Sequence, residues 1–255
     1  MSNQTLDVIA VGAHPDDTEI ACGGTLAKLA KQGYRVGIID LTDGEPTPGS
    51  AGPEVRLAEA RRAAETLGLA RRVTLNLPNR RLFDTFEARA ALATEFRRFR
   101  PRLVLGLGAK TPTASPDHYQ ASLIIEAAVF YAKLTKWDDQ FAGTQPYVIP
   151  RWLKFFLAFD PTSLADRHLL VVDISDTLET KLAAIGCYAS QFSDRMHLFE
   201  RFRAFAVQQG MSAGFTAGEV LASPTVWGTH DLMGLLFRVE QPPQPPGETQ
   251  GSVDH

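Results

Sequence analysis

Cysteine is nearly missing from this chain: Cys22 and Cys187 are the two in 255 residues. They are too few and too far apart for a disulfide framework or a zinc knuckle, which leaves any metal to histidine and carboxylate. Long apolar runs are missing as well. None approaches the roughly 20 residues of a membrane span, and Met1 to Leu6 has neither the basic start nor the apolar core of a signal peptide. The expectation is a cytoplasmic protein with no membrane partner. A strong charge of one sign is absent too. The formal net charge is −3, with basic residues scattered among acids, so there is no electrostatic footprint for nucleic acid. No His-Glu-x-x-His helix and no Gly-x-Ser-x-Gly elbow occurs. Gly106-Leu107-Gly108 lacks the third glycine of a dinucleotide fingerprint, and Gly108-Ala109-Lys110-Thr111 resembles only the end of a phosphate loop. No internal repeat is visible.

What is present is a regular alternation of strand and helix patterns. Val8 to Val11 is apolar on both faces, as a central parallel strand must be. Ile20 to Lys31 follows as a helix, Val36 to Leu41 as a strand, and 42–52 as a long polar loop of the kind that carries function or moves. Pro53 suits the first turn of a helix closing on Gly68. Val73 to Leu77 is a third strand, Glu87 to Arg100 a helix, Leu103 to Leu107 a fourth strand, and a further helix runs to about Lys133. Later strands are expected at 152–159 and 169–174 and helices at 176–192 and 196–209. The succession predicts a Rossmann-like α/β fold, a mostly parallel sheet with helices on both faces. At 44% hydrophobic residues the chain supports one large domain over 1–240. The proline-rich polar stretch 241–255 is expected to be a disordered tail.

Open α/β sheets bind ligands at the carboxyl ends of their strands, and the chemistry-bearing residues of this chain cluster there. Val8 to Val11 runs into Gly12-Ala13-His14-Pro15-Asp16-Asp17-Thr18-Glu19. His14 and Asp17 are close enough to bind one metal ion, with Asp16 between them placed to face a water beside it. The plain alternative is an Asp-rich turn in which Asp16 or Asp17 caps the next helix. After the fourth strand, Ser115-Pro116-Asp117-His118 leads into a helix, and His118 in its first turn faces the same edge. Alone it would read as a surface or capping histidine. With His14 and Asp17 at one sheet edge, it supplies the distant ligand that a metal site needs. Arg56, in the helix after the polar loop, either clamps a substrate hydroxyl or pairs with Glu59 three residues on.

These segments resemble a known family. Ala13 to Glu19, Cys22-Gly23-Gly24-Thr25-Leu26, Leu41-Thr42-Asp43-Gly44-Glu45, Arg56 with Glu59 and Leu67-Gly68, and Pro116-Asp117-His118 look like the zinc-dependent LmbE-like or PIG-L de-N-acetylases. Val172 to Asp176, Lys181 and Cys187 to Phe192 further resemble the branch acting in bacillithiol synthesis. The resemblance covers most of residues 7–192. It implies zinc held by His14, Asp17 and His118, Asp16 as general base, and a small N-acetylglucosamine-type conjugate as substrate. In that family the second motif reads His-Pro-Asp-His. Its first His stabilises the oxyanion or protonates the leaving amine, and the Asp orients that His.

Here the first position is Ser115, which can donate a hydrogen bond but cannot become an imidazolium. Ser115 and Arg56 are then substrate-facing candidates, and Asp117 a catalytic one. For the missing imidazole, His230 stands beside Asp231 in a loop-like segment. It is the candidate that reaches the site as acid, against the alternative of a solvated loop histidine. The substrates that stay open are another acylated amino sugar or conjugate, and a metal-binding protein with little catalysis is the reading from a different class. Oligomeric relatives and the stripe Phe199, Phe202, Phe205 and Ala206 together suggest a homo-oligomer.

Overall fold

The computed structural model describes residues 5–157, 168–195 and 197–230. The chain divides into two compact units, Met1–Thr225 and Val226–His255. The proline-rich segment at 241–255 lies outside the described residues. The first unit carries the sheet and its helices. Its elements in order are β1 (Val8–Gly12), α1 (Asp17–Lys31), β2 (Val36–Asp40), α2 (Pro53–Thr66), β3 (Arg71–Thr74), α3 (Phe86–Phe99), β4 (Leu103–Leu107) and α4 (Asp117–Tyr131). A 3-10 turn (Asp138–Phe141), β5 (Arg151–Phe155), β6 (His168–Asp173), α5 (Leu178–Gly186), α6 (Ala189–Phe192), α7 (His197–Met211) and β7 (Gly218–Ser223) follow.

Seven strands form one sheet in the order β3-β2-β1-β4-β5-β7-β6. β3 through β5 pair in parallel, and β7 runs antiparallel between β5 and β6. The expected mostly parallel sheet is therefore present. β1 and β2 are buried at every position, which is why their sequences read as unbroken apolar runs and not as alternation. Helices α3 and α4 pack on each other, while α1, α2 and α5 form a second group. That division is the one right-handed crossovers impose when the strand order turns back at β1. The reversal lies between β1 and β4, so the loops leaving these two strands part to opposite sides and open a crevice.

Several boundaries differ from the sequence pattern, each for a physical reason. β3 starts at Arg71 instead of Val73 because Arg72 is not a solvent-facing cation. It forks onto the Asp40 carboxylate at 2.7 and 2.9 Å and reaches Glu19 at 2.5 Å. The ladder nonetheless runs on, with Leu75 and Leu77 bonding Asp40 and Leu41 carbonyls. The single helix expected at 176–192 is broken at Tyr188, whose fully buried hydroxyl donates to Glu19 at 2.7 Å. β5 stops at Phe155, and residues 158–167 lie outside the described residues.

β7 is a strand that the pattern Gly-Glu-Val-Leu-Ala-Ser does not announce. Its Glu219 is fully buried and accepts from Gly24 N, Thr25 N, Thr25 Oγ1 and Lys181 Nζ. The two amides lie just past the point where α1 departs from helical geometry, at Cys22 (φ −139°). The phenylalanine stripe of α7 faces inward in part: Phe199 and Phe202 pack edge-on with Phe192 of α6 at 6.1 and 5.9 Å between centroids. Part of the stripe is thus spent on packing within the chain. Among the described residues no helix is long and apolar enough to cross a membrane.

Candidate metal centre

The centre sits at the switch between β1 and β4. His14 follows β1, Asp17 opens α1, and His118 lies in the first turn of α4. One ligand atom from each falls within 4.8 Å of the others. All three are largely withdrawn from solvent: Asp17 is 4% and His118 7% exposed.

Asp17 is held by its own loop. Its Oδ2 accepts the main-chain N–H groups of Ala13 and His14, both at 2.9 Å. That pattern ends the capping alternative, since these amides precede the helix, and Asp16 makes no side-chain cap either. Oδ1 is left facing His118 Nε2 at 3.3 Å. Burial alone would raise the Asp17 carboxyl, but the charge and hydrogen bond of His118, with those of His14, hold it well below the usual carboxylate range.

Each imidazole is gripped on its far nitrogen. Thr111 Oγ1 lies 3.0 Å from His118 Nδ1, so a proton on Nδ1 leaves the Nε2 lone pair aimed at Asp17 Oδ1. An electron pair facing a carboxylate oxygen calls for a cation between them. The spacing suits one: two bonds of about 2.05 Å meeting at the tetrahedral angle span about 3.3 Å. Asp117 Oδ2 lies 3.3 Å from His14 Nε2, leaving His14 Nδ1 on the Asp17 side at 3.6 Å. A carboxylate behind a ligand histidine is the usual support of a metal site. Burial lowers the His14 pKa, but Asp117 and Asp17, with the charge of Asp16, more than reverse this and raise it to about 10. The pocket favours positive charge strongly, and the residues present fit a divalent ion with three N/O ligands.

Asp117 has partners other than those the resemblance implies. The family resemblance has this carboxylate orient the first residue of its own motif. Here it is 2% exposed, bonds His14, and accepts the Arg80 main-chain N–H at 2.7 Å. These partners keep its pKa low against the effect of burial. It stands behind His14, a candidate ligand. Ser115 also serves its own turn, where its Oγ accepts from Asp117 N at 3.3 Å and its carbonyl from His118 N at 3.2 Å. The hydroxyl thus stands at the start of α4 and satisfies an amide that has no helical partner.

Asp16 has φ 107°, a left-handed conformation that non-glycine residues avoid and that clusters at functional sites. Burial pushes its carboxyl up to about 7, against the pull of Arg56. Arg56 is 2% exposed, donates from Nη2 to the Pro15 carbonyl at 2.6 Å and lies 3.7 Å from Asp16 Oδ2. Its guanidinium rests over Tyr188, 5.3 Å from the ring centroid, and Nε and Nη1 have no hydrogen-bond partner. The Glu59 pairing is loose at 3.9 Å, because Glu59 accepts instead from Ser190 N and Oγ at 2.8 and 2.6 Å. Arg56 thus supports the loop carrying Asp16. His230 is exposed and belongs to the second unit. The supports that sequence reading missed are Thr111, the Arg80 amide and Tyr188. Thr111 had a visible signal, a hydroxyl seven residues before a candidate ligand at a strand's carboxyl end.

Residues 9–129 match the family model described as PIG-L, GlcNAc-PI de-N-acetylase. The diacetylchitobiose deacetylase of Thermococcus kodakarensis is 34% identical over 228 residues, covering 85% of this chain and 82% of that protein. The 4-oxalmesaconate hydratase of Pseudomonas putida is 28% identical, covering 94% and 93%. Among solved structures, the conserved protein TT1542 from Thermus thermophilus superposes with a TM-score of 0.76 at 33% identity, covering 88% of this chain and 98% of that one. By these matches, and by the His-Asp-His centre at its sheet switch point, the chain belongs to the PIG-L family of de-N-acetylases.

Proposed function

We propose that the chain hydrolyses the acetamide of an N-acetylglucosamine-type conjugate, releasing acetate and a free amine, with zinc as the ion at His14, Asp17 and His118. The observation that carries the reading is the pairing of a three-ligand N/O cluster with a neighbouring carboxylate that is not needed as a ligand. A bound zinc ion supplies Lewis acidity, polarising the acetyl carbonyl and making water a nucleophile near neutral pH.

The chain's own groups carry the proton. Asp16 accepts it from the attacking water and returns it to the departing nitrogen as the carbon–nitrogen bond breaks. A carboxyl balanced between its two forms near neutrality suits both transfers. Arg56 holds the Pro15 carbonyl and hence the turn that aims Asp16. This route gives the leaving amine its proton without the imidazole that Ser115 replaces. The deciding experiment measures amine release from a panel of N-acetylglucosaminides, with zinc content determined on the same sample. Zinc without turnover on any of them favours the metal-binding alternative.

One relative favours a second reading. The Pseudomonas putida protein, a hydratase by name, covers almost the whole chain, and adding water across a carbon–carbon double bond needs no leaving amine to be protonated. Loss of ultraviolet absorbance from an unsaturated dicarboxylate, with no amine formed from the glycosides, would select it.

A further inference from the structure

Tyr188, at the turn that opens α6, touches both sides of the centre. Its hydroxyl donates to Glu19 Oε1 at 2.7 Å, and Glu19 lies in the first turn of α1, two residues after Asp17. Its ring faces the Arg56 guanidinium, whose carbon is 5.3 Å from the ring centroid. Arg56 in turn donates to the Pro15 carbonyl at 2.6 Å and stands 3.7 Å from Asp16 Oδ2. One fully buried side chain therefore joins the helix that carries a candidate ligand to the turn that carries the candidate base.

The guanidinium depends on that ring. Arg56 is 2% exposed, and beyond the bond from Nη2 to Pro15 its Nε and Nη1 have no hydrogen-bond partner among the described residues. Water has little access there, and the attraction of a cation to a ring face is largest where water is excluded. Gly44 closes in as well: a Cβ added to it would stand 3.2 Å from both Arg56 Nη2 and Pro15 Cδ. The ring is held by its neighbours along the chain. Arg62 Nη2 donates to the Cys187 carbonyl at 3.3 Å, and Glu59 accepts from Ser190 N and Oγ at 2.8 and 2.6 Å, so α2 grips the chain on both sides of Tyr188. A Cβ added to Gly49 would stand 2.1 Å from the Ser190 carbonyl oxygen, so the 42–52 loop packs on the same turn. Removing the hydroxyl alone leaves Glu19 paired with Arg72 at 2.5 Å and the ring in place.

We propose that Tyr188 is a positioning residue for the hydrolysis: its ring face holds the Arg56 guanidinium on the Pro15 carbonyl and so keeps Asp16 in its left-handed conformation, aimed at the attacking water. The inference rests on the deacetylase reading. Asp16 at φ 107° needs support from outside its own turn, and the Arg56 bond falls on the carbonyl of the peptide that joins Pro15 to Asp16. Loss of aim acts on proton transfer and not on substrate binding, so the effect belongs in kcat. A misplacement of about 1 Å costs on the order of 10²-fold in rate, and a partial one less.

The test compares Tyr188→Phe, Tyr188→Leu and a chain with 3,4,5-trifluorophenylalanine at position 188, which keeps the ring's shape while draining negative charge from its face. Amine release from an N-acetylglucosaminide is followed, with zinc content determined on each sample. Tyr188→Phe is expected within about 3-fold of the native kcat, and Tyr188→Leu about 10-fold or more below it. The fluorinated chain should fall about 3-fold or more below Tyr188→Phe, and all three should keep zinc and a KM within about 2-fold of native. In an Arg56→Ala background the three should differ by less than about 2-fold, because the partner is gone. A ring that only fills space would give the fluorinated chain the rate of Tyr188→Phe, or would make Tyr188→Leu equally costly in both backgrounds, and either result overturns the proposal. Zinc loss that matches the loss of rate also overturns it, since the effect then runs through Glu19 and α1. The fluorinated chain decides where Tyr188→Leu fails to fold. If the native chain releases no amine from any glycoside, the deacetylase reading fails on its own, and crystal structures of the same chains decide the role of the ring. Arg56 kept on the Pro15 carbonyl in Tyr188→Phe but displaced from it in Tyr188→Leu or the fluorinated chain supports the proposal, and Arg56 unmoved in both overturns it.

Discussion

Replacing Thr111 by valine tests how the centre is built, because it changes one atom's chemistry and almost no volume. The Thr111 hydroxyl lies 3.0 Å from His118 Nδ1, and His118 is only 7% exposed, so water cannot readily take its place. Without the hydroxyl, a proton on Nδ1 is buried unpaired, at a cost of about 1–3 kcal/mol. The imidazole can escape that cost by moving the proton to Nε2, where Asp17 Oδ1 waits at 3.3 Å. Either way the nitrogen needed as a ligand is compromised. Zinc affinity should fall about 10- to 100-fold, the range seen when an outer support of a ligand is removed. Competition with a chromogenic chelator measures this directly, without substrate. Thr111→Ser keeps the hydroxyl and should bind zinc nearly as the native chain does. A valine variant that melts normally and binds zinc with native affinity would falsify the argument that Thr111 selects the tautomer of His118.

The remaining predictions concern the carboxylates. Asp16→Asn should retain zinc and lose turnover by about 10²- to 10⁴-fold, whereas Asp17→Asn should lose zinc itself; elemental analysis of both variants beside their rates separates the roles, and equal zinc loss would merge them. The proposed route uses Asp16 as carboxylate, so kcat/KM should rise with pH through its pKa. Burial places that pKa at about 7, and a bound dication favours the carboxylate, so the acid limb should lie at or below neutrality. A rate that falls with rising pH across this range would contradict the base assignment. Glu219→Ala should cost about 3–5 kcal/mol in denaturant unfolding, because it strands the buried Lys181 ammonium. It also unties the Gly24 and Thr25 amides.

The sequence by itself determined the α/β alternation, the parallel centre of the sheet and the candidate ligand triad. Those signals are local or set by chain order: apolar runs mark strands covered on both faces, and loops at carboxyl ends share one edge. His14, Asp17 and His118 were legible because two short motifs fall after β1 and β4, which the fold places side by side. Only the tertiary structure decided what stands behind them. That Asp117 reaches back 103 residues to His14 is invisible in a motif that joins it to its own neighbours. Tyr188 falls within an expected helix, and no motif marks Arg72 or Glu219. Each is buried because a partner far along the chain offsets the cost of desolvating it. Partnership of that kind depends on which elements meet, and no local pattern encodes it.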